Sequence, residues 1–385
     1  MFYLFNSAYR ALYTRNVLNT LFIPKGGTNE YRYRTRAAGA NIAPDSHGDF
    51  INEASGEEVV ITFIDRFGKT GYVYHPLRRG RLVTCREEQD RLYFRVNLDQ
   101  FVYPRDFAAF NEILKRSLGP KGLPRLTNDD PFNANDGYYA IKAGNIFTQA
   151  NDFHWGQDAW QSAVENLRKT QAFAERAPRA ESSQEEDDAH REFLFVRCDI
   201  SQESTQKKAV TPTLRKGLAV FDLLRGARYE FLLSYRYPPQ LENTSYTAIV
   251  EAEFGENLRA LGSTSINIDS YSNSVSLPFA TKRHLEDNKD GISFKFISNR
   301  SKYELIGPDS RLLFRFKEAK SFWIQLGIIL LLFTALSVFI GADLPQISPL
   351  TICNVVKVLW LKVLAGFLQA AVLFWMFRLV GKKVL

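Results

Sequence analysis

Short runs in which hydrophobic and polar residues alternate dominate the first part of the chain after Val59. Side chains of a strand point alternately to the two faces of a sheet, so this pattern predicts strands with one buried face. Turn signals at Phe67-Gly68-Lys69 and at Arg79-Gly80 separate the runs, as in antiparallel sheets. The predicted strands cover 59–67, 71–77, 81–85 and 91–103, with another near 139–146.

Two helices are predicted beside these strands. The first, over 105–117, places Phe107, Phe110, Ile113 and Leu114 on one face. The second amphipathic helix is predicted over 158–173. These elements make up a β-rich N-terminal domain of residues 1–176.

An acidic segment, residues 177–192, contains no large apolar side chain and is predicted to be a solvated linker between domains. Beyond it, residues 193–318 hold nine short strand-like runs separated by clusters of Gly, Pro, Asn and Asp. Such regular short strands predict a β-sandwich. The soluble part is therefore α+β and mostly β.

The C-terminal part is strongly apolar. Residues 322–341 contain no charged side chain, and a helix of that length covers the roughly 30 Å hydrocarbon core of a bilayer. The segment "ADLPQISPL", with two prolines, ends the helix. A second span is predicted over 358–377, which completes a transmembrane helical hairpin within residues 322–380.

The charges that flank the two spans predict their orientation. Basic residues lie before the first span and after the second, whereas the connecting loop 342–354 has one Asp and no Lys or Arg. The flanking residues are Arg315, Lys317, Lys320, Arg378, Lys382 and Lys383. The positive-inside rule then places both termini in the cytoplasm and the protein in the inner membrane. The opening segment has no secretory signal pattern, since Tyr9, Arg10 and Arg15 interrupt its apolar residues.

The second span carries a polar stripe. Lys362 and Gln369 lie seven residues apart, close to one helical face, and Gly366 and Ala370 form a small-xxx-small pair beside them. Two interpretations remain open. Lys362 snorkels to the membrane surface and Gln369 bonds a neighbouring helix, or the stripe meets its copies in a homo-oligomer and lines a wet path.

Two arginine-rich motifs are candidates for binding an anion. "EYRYRTR" places its arginines on one strand face and its tyrosines on the other, and "PLRRGR" forms a second cluster. The candidate residues are Arg32, Arg34, Arg36, Arg78, Arg79 and Arg81. With a net charge of +7, a nucleotide messenger, nucleic acid or anionic lipid fits as partner. A solvated face above an aromatic core fits equally.

Sequence motifs give no support for catalysis. The five histidines and the cysteines Cys85, Cys198 and Cys353 are far apart, which predicts neither a metal site nor a disulfide framework. "RFGKTG" has Phe63 where a P-loop needs its first glycine, and "NDDPFNANDG" lacks the ligand spacing of an EF-hand. We therefore predict no cofactor, no metal and no enzymatic activity.

A β-rich cytoplasmic module followed by a two-span hairpin resembles, in layout, the membrane effectors of bacterial anti-phage defence systems. The resemblance implies a sensor that oligomerises through its hairpin and permeabilises the inner membrane. The alternatives are a membrane-tethered scaffold that recruits a protein partner, and an anchored enzyme that uses acids such as Asp65, Asp129 and Asp130.

Overall fold

The computed structural model describes three helices and twenty strands, and strands make up most of it. The described residues are 2–7, 11–34, 56–67, 71–89, 91–122, 138–141, 152–170, 172–173, 190–203, 207–239, 241–242, 245–282, 289–299 and 303–318, with single positions and short runs between 327 and 369. The predicted mostly-β character is confirmed.

The N-terminal region combines seven strands with three helices. The strands are β1 (Phe2–Ser7), β2 (Thr28–Arg34), β3 (Glu58–Phe67), β4 (Gly71–Glu88), β5 (Arg91–Pro104), β6 (Tyr138–Ile141) and β7 (Phe153–Trp155). The helices are α1 (Ala11–Phe22), α2 (Phe107–Gly122) and α3 (Gly156–Leu167). The sheet has the order β2-β5-β4-β3-β1-β6, with β7 paired to β5. β1 runs parallel to β3, and the other pairs are antiparallel.

Helices cover both faces of this sheet because each face carries a row of apolar side chains. On one face, α1 and α3 share a buried cluster in which Leu18 and Trp160 accompany Phe63 of β3. On the opposite face, Phe110 of α2 packs in a cluster with Tyr3 of β1. In β2, β5 and one end of β4, the second face carries polar side chains such as Glu30, Arg95 and Thr84.

Two details differ from the sequence prediction. β4 continues through Arg79-Gly80, which was predicted as a turn, and its register with β5 shifts twice. Gly80 permits this path because a Cβ there would lie 2.5 Å from the carbonyl oxygen of Asn97. In α2, Phe110 and Leu114 are buried but Ile113 is 47% exposed, since its position falls outside the narrow buried stripe.

The C-terminal region contains the predicted sandwich-like sheets. Its strands are β8 (His190–Phe193), β9 (Phe195–Gln202), β10 (Lys208–Ala209), β11 (Pro212–Arg215), β12 (Leu218–Leu224), β13 (Arg228–Arg236), β14 (Thr247–Phe254), β15 (Leu258–Ala260), β16 (Ser265–Asp269), β17 (Ser274–Thr281), β18 (Lys289–Ser298), β19 (Tyr303–Ile306) and β20 (Leu312–Lys317). Sheets of order β10-β9-β13-β17-β15 and β11-β12-β20-β18-β14-β16 enclose the core, and β19 pairs with β8.

Aromatic side chains fill the space between the two large sheets. Phe231 of β13 stacks on Phe279 of β17 with ring centroids 4.4 Å apart. From the other sheet, Phe294 of β18 meets Phe231 edge-on at 5.4 Å. All three belong to one buried cluster, which is the packing that alternating strands of a sandwich produce.

The two β-rich regions are packed against each other. The ring of Phe22 of α1 packs edge-on against that of Phe294, with centroids 5.6 Å apart. One hydrophobic cluster contains residues of both regions. The side chain of Asn19 donates to Asp309 at 2.8 Å, and the backbone N–H of Asp309 donates back at 3.0 Å. Arg168 of the N-terminal region pairs with Glu242 of the sandwich region. Of the segment predicted as a linker, residues 190–192 belong to β8, and 177–189 lie outside the described residues.

The predicted spans lie almost wholly outside the part of the chain that the structure describes. Within the described residues, no helix has the length and apolar character needed to cross a membrane.

Candidate anion-binding face

The two arginine motifs meet on one polar face of the N-terminal sheet. In β2, Tyr31 and Tyr33 point into the core, as predicted, so the alternate residues Glu30 and Arg32 point to the other face. Cross-strand pairing continues that face into β5 and β4, through the pairs Glu30↔Arg95↔Thr84 and Arg32↔Tyr93↔Arg86. The same pairing brings Arg81 opposite Asn97 and Glu58.

We call this surface the arginine face. Its members are Glu30, Arg32, Glu58, Arg79, Arg81, Arg86, Glu88, Arg91, Tyr93 and Arg95. Six arginines outnumber three carboxylates, so the surface has a net positive charge. The two sequence motifs predicted only Arg32, Arg34, Arg36, Arg78, Arg79 and Arg81 as candidates. Arg91 and Arg95 were missed, although the alternation in "RLYFR" places them with Arg32 once β2 pairs with β5.

Carboxylates neutralise only part of this surface. Glu30 accepts from Arg86 at 3.2 Å and from Arg95 at 2.8 Å. Glu88 also pairs with Arg86, and Glu58 pairs with Arg79. None of the described carboxylates pairs with Arg32 or Arg81. These two guanidinium groups, one half-buried and one exposed, are the strongest candidates for holding an anion.

The separation of Arg32 and Arg81 limits which anion can use both. Their positions are about four residues apart along the strands and two strands apart across the sheet, which is roughly 16 Å. A single phosphate cannot span that distance. The arrangement suits an elongated polyanion that lies across the sheet.

A turn of the sandwich borders the arginine face. Lys216 and Gly217 connect β11 to β12, both with positive φ, of 49° and 75°. A Cβ on Gly217 would lie 3.4 Å from Nη1 of Arg95. Next to the turn, the backbone N–H of Ala219 donates to Oγ1 of Thr28 in β2 at 3.1 Å. Lys216 is exposed and adds a further cation at this edge.

Arg78, a predicted anion ligand, has a structural role instead. Its side chain is 1% exposed. The guanidinium donates to the carbonyls of Asp99, Thr20 and Ile23 at 2.8, 2.9 and 2.5 Å, and it lies 4.3 Å from the ring of Phe101. Burial lowers the pKa of Arg78 to about 9. Arg78 thus satisfies carbonyls at the C-terminus of α1 and is not accessible to a ligand.

His75 is also buried in the same strand. Its Nδ1 lies 3.2 Å from the hydroxyl of Tyr103, and the ring of Phe107 packs at 4.7 Å. Desolvation lowers the pKa of His75 to about 3, so the imidazole is neutral at physiological pH. It belongs to the core and not to the arginine face.

The remaining predicted site residues are only partly described. Arg34 is the last residue of β2, opposite Arg91, and Arg36 lies outside the described residues. Gly366 and Gln369 are described as helical positions, whereas Lys362 and Ala370 are not described. No group of three or more His, Cys, Asp or Glu in the described part of the chain could hold a metal ion.

β12 connects the arginine face to the last described strand. It begins beside the Lys216-Gly217 turn and runs parallel to β20, with Leu224 opposite Lys317. Asp222 of β12 accepts from Arg315 and from Lys317 of β20, both at 2.6 Å. Just beyond, Arg225 pairs with Glu318 at 2.8 Å. Ion pairs and a strand ladder thus fix β20 to β12.

Comparisons with known proteins do not assign a family. No family model matches the chain, and no curated protein matches it. Fourteen chains of solved structures do match. One is a cohesin module from the family 33 glycoside hydrolase of Clostridium perfringens ATCC13124, at 10% sequence identity, covering 28% of this chain and 96% of that one. Its TM-score is 0.18, and at that value the likeness carries no argument about fold or function.

Proposed function

We propose that the protein is a non-enzymatic membrane effector with a cytoplasm-facing sensor. An anionic signal binds the arginine face, and a hairpin of residues 322–341 and 358–377 oligomerises and permeabilises the inner membrane. The observation that carries the proposal is the position of β12. One end of this strand lies beside the arginine face, and the other end is fixed to β20, which ends at Lys317, five residues before Phe322.

Binding of an anion at the arginine face would compete with existing interactions. Glu30 pairs with both Arg86 and Arg95, and Nη1 of Arg95 lies 3.4 Å from the position that a Cβ on Gly217 would take. A polyanion that draws these arginines outward would change the packing of the Lys216-Gly217 turn against the N-terminal sheet. The seven residues of β12 transmit that change over about 23 Å. The ligand must bind the altered state more tightly than the resting state for this to shift the population.

The amino-acid sequence supports the membrane part of the proposal. Twenty residues without charge follow β20 closely, and basic residues flank the predicted hairpin on the side of both termini. Lys362 and Gln369 would face a shared interior in the oligomer, and Gly366 with Ala370 would permit close helix contact. The layout resembles that of membrane effectors in bacterial anti-phage defence, and we propose that the activity serves such a system.

The test is membrane potential in bacterial cells that express the chain. We expect depolarisation and growth arrest with the full chain, and neither with a variant that lacks residues 322–385. Arg32→Gln together with Arg81→Gln should reduce the response, whereas Arg105→Gln with Arg116→Gln, two exposed arginines elsewhere, should not. Depolarisation that persists unchanged without residues 322–385 contradicts the proposal.

A membrane-tethered scaffold is the second candidate, favoured by an exposed sheet edge. β11 is the outer strand of its sheet, and Leu214 and Leu218 around its turn are 49% and 39% exposed. Such an edge can accept a strand from a partner protein. If deletion of residues 322–385 releases the protein to the cytosol and no permeability change ever occurs, the scaffold replaces the effector.

A further inference from the structure

The two ends of the sandwich region carry different charges. At one end lie the C-terminus of β20 and the strand ends next to it. We call this the exit end, because the chain leaves it toward residues 322–341. Its exposed cations are Lys207, which pairs with Glu230, and Lys208, Arg228, Arg259, Lys282 and Lys317, and its exposed carboxylates are Glu203 and Glu256.

The position of these cations follows from strand pairing. Arg228 of β13 and Arg259 of β15 both lie opposite Ala280 of β17, one on each side. Residues that are directly opposite share a sheet face, so both arginines point outward while their neighbours Tyr229 and Leu258 are buried. Two strand spacings separate them by about 10 Å. The small side chain between them leaves room for an anionic group.

Hydrogen bonds hold the exit end in place. Thr281 Oγ1 donates to the carbonyl of Leu224 at 2.6 Å and accepts from the N–H of Ala227 at 3.1 Å. The N–H of Arg225 donates to the carbonyl of Lys317 at 3.0 Å. The turn between β12 and β13 therefore ties the arginine pair of one sheet to the exit strand of the other.

Four of these cations have no acidic partner among the residues that the structure describes. Lys317 pairs with Asp222, but no described carboxylate pairs with Lys208, Arg228, Arg259 or Lys282. At the opposite end of the sandwich, the described residues around Thr247, Asp269–Asn273 and Asn299 include no exposed cation, whereas the β11–β12 turn exposes Arg215 and Lys216 beside the arginine face.

We propose that the exit end rests on the anionic headgroup surface of the membrane. This inference depends on the membrane anchoring proposed above. If a bilayer begins near Phe322, the five residues after Lys317 allow a gap of at most about 17 Å. The attraction between an anionic leaflet and exposed Lys or Arg decays over a Debye length of about 8 Å, so it acts when these five residues are not extended and the exit end lies closer to the headgroups than this limit. The lipid surface is the occupant that fits four cations without a described acidic partner at the end where the chain exits.

The experiment uses the full chain in vesicles of phosphatidylcholine alone and of phosphatidylcholine with phosphatidylglycerol. Mass spectrometry follows the acetylation rate of Lys208 and Lys282, with Lys169, on the N-terminal region and 63% exposed, as the reference. In the anionic vesicles we expect Lys208 and Lys282 to react about fivefold more slowly, and Lys169 to be unchanged. Arg228→Gln with Arg259→Gln should weaken that protection, and Arg105→Gln with Arg116→Gln should leave it intact.

Flotation of the same samples separates the two proposals. If the protein floats with both vesicles but acetylation is equal in both, or Lys169 is slowed as much, the membrane-facing exit end is wrong and anchoring stands. If it floats only with anionic vesicles and salt releases it, the exit end is supported and the hairpin is wrong. If it floats with neither, both are wrong.

Discussion

The N-terminal sheet and the sandwich differ in the polar side chains that they bury. The N-terminal sheet buries Arg78, His75 and Asn6. Arg78 lies there because α1 ends against the interior of the sheet and the last carbonyls of that helix need donors. The sandwich fills its interior with aromatic and aliphatic side chains and keeps ion pairs such as Asp222–Arg315 on its outer face. A helix end that meets a sheet thus requires a buried donor such as Arg78, whereas the sandwich buries Asn257, Ser270 and Thr281 at the ends of strands or just beyond them.

Removal of an aromatic anchor from the sandwich should have the largest effect. Phe231→Ala removes the ring that packs between Phe279 and Phe294 and leaves a cavity there. This should lower the free energy of unfolding by about 4 kcal/mol. Leu232→Ala, next in the chain but 39% exposed on the outer face, should cost less than about 1 kcal/mol. Urea unfolding of both variants checks the contrast, and equal losses would mean that the two sheets do not pack through Phe231.

Loss of the buried guanidinium of Arg78 should have the second-largest effect on stability. Arg78→Met keeps most of the volume but leaves the carbonyls of Thr20 and Ile23 without their donor, so we expect a loss of about 3 kcal/mol. Arg81→Met, from the same "PLRRGR" motif but exposed, should stay within about 0.5 kcal/mol of wild type. Unfolding by guanidinium chloride measures both. A small effect at Arg78 would show that the polar interior of the N-terminal sheet is dispensable.

His75 should make stability depend on pH. Its pKa is about 3 in the folded state, against an ordinary value of 6.5. Below pH 6.5 the His75 imidazole binds a proton in the unfolded chain but not in the folded chain, so stability falls as pH decreases toward 3. Between pH 7 and pH 5, wild type should lose about 2 kcal/mol more than His75→Gln. Parallel pH profiles of the two proteins would contradict a buried neutral imidazole.

The smallest effect concerns the junction between the two regions. Asp309→Ala removes the carboxylate that accepts from the side-chain amide of Asn19 and pairs with Arg15, while the backbone N–H of residue 309 still donates to Asn19. We expect this loss to cost about 1 kcal/mol. Glu253→Ala, which breaks an exposed ion pair with Lys295 inside one sheet, should cost less. Calorimetry should detect broader unfolding only for Asp309→Ala. If neither variant changes the transition, the regions are held together by their shared apolar cluster alone.

Sequence pattern predicted the strands whose alternation is local, such as β3, β5, β12 and β13. β1 was missed because it is short and because its place in the sheet depends on parallel pairing with β3, far along the chain. The burial of Arg78 could be predicted in part. Adjacent residues of a strand face opposite sides, so Arg78 and Arg79 could not both reach solvent on one face. Which of them is buried depends on α1, and no local pattern encodes that.

Part of the arginine face could be predicted from the alternation along the strands. "EYRYRTR" gave the correct face for Arg32, but the convergence of this motif with "PLRRGR" requires β5 to lie between β2 and β4. The contribution of the Lys216-Gly217 turn was not predictable, since it comes from a second region packed against the first.

Membrane association tests the central claim most directly. Cells that express the full chain and cells that express residues 1–318 are lysed without detergent, and the fractions are floated on a density gradient after an alkaline wash. We predict that the full chain floats with the inner membrane through the wash and that the shorter chain does not. Full chain that stays in the supernatant without aggregation would contradict the account, because no anchored hairpin would then follow β20.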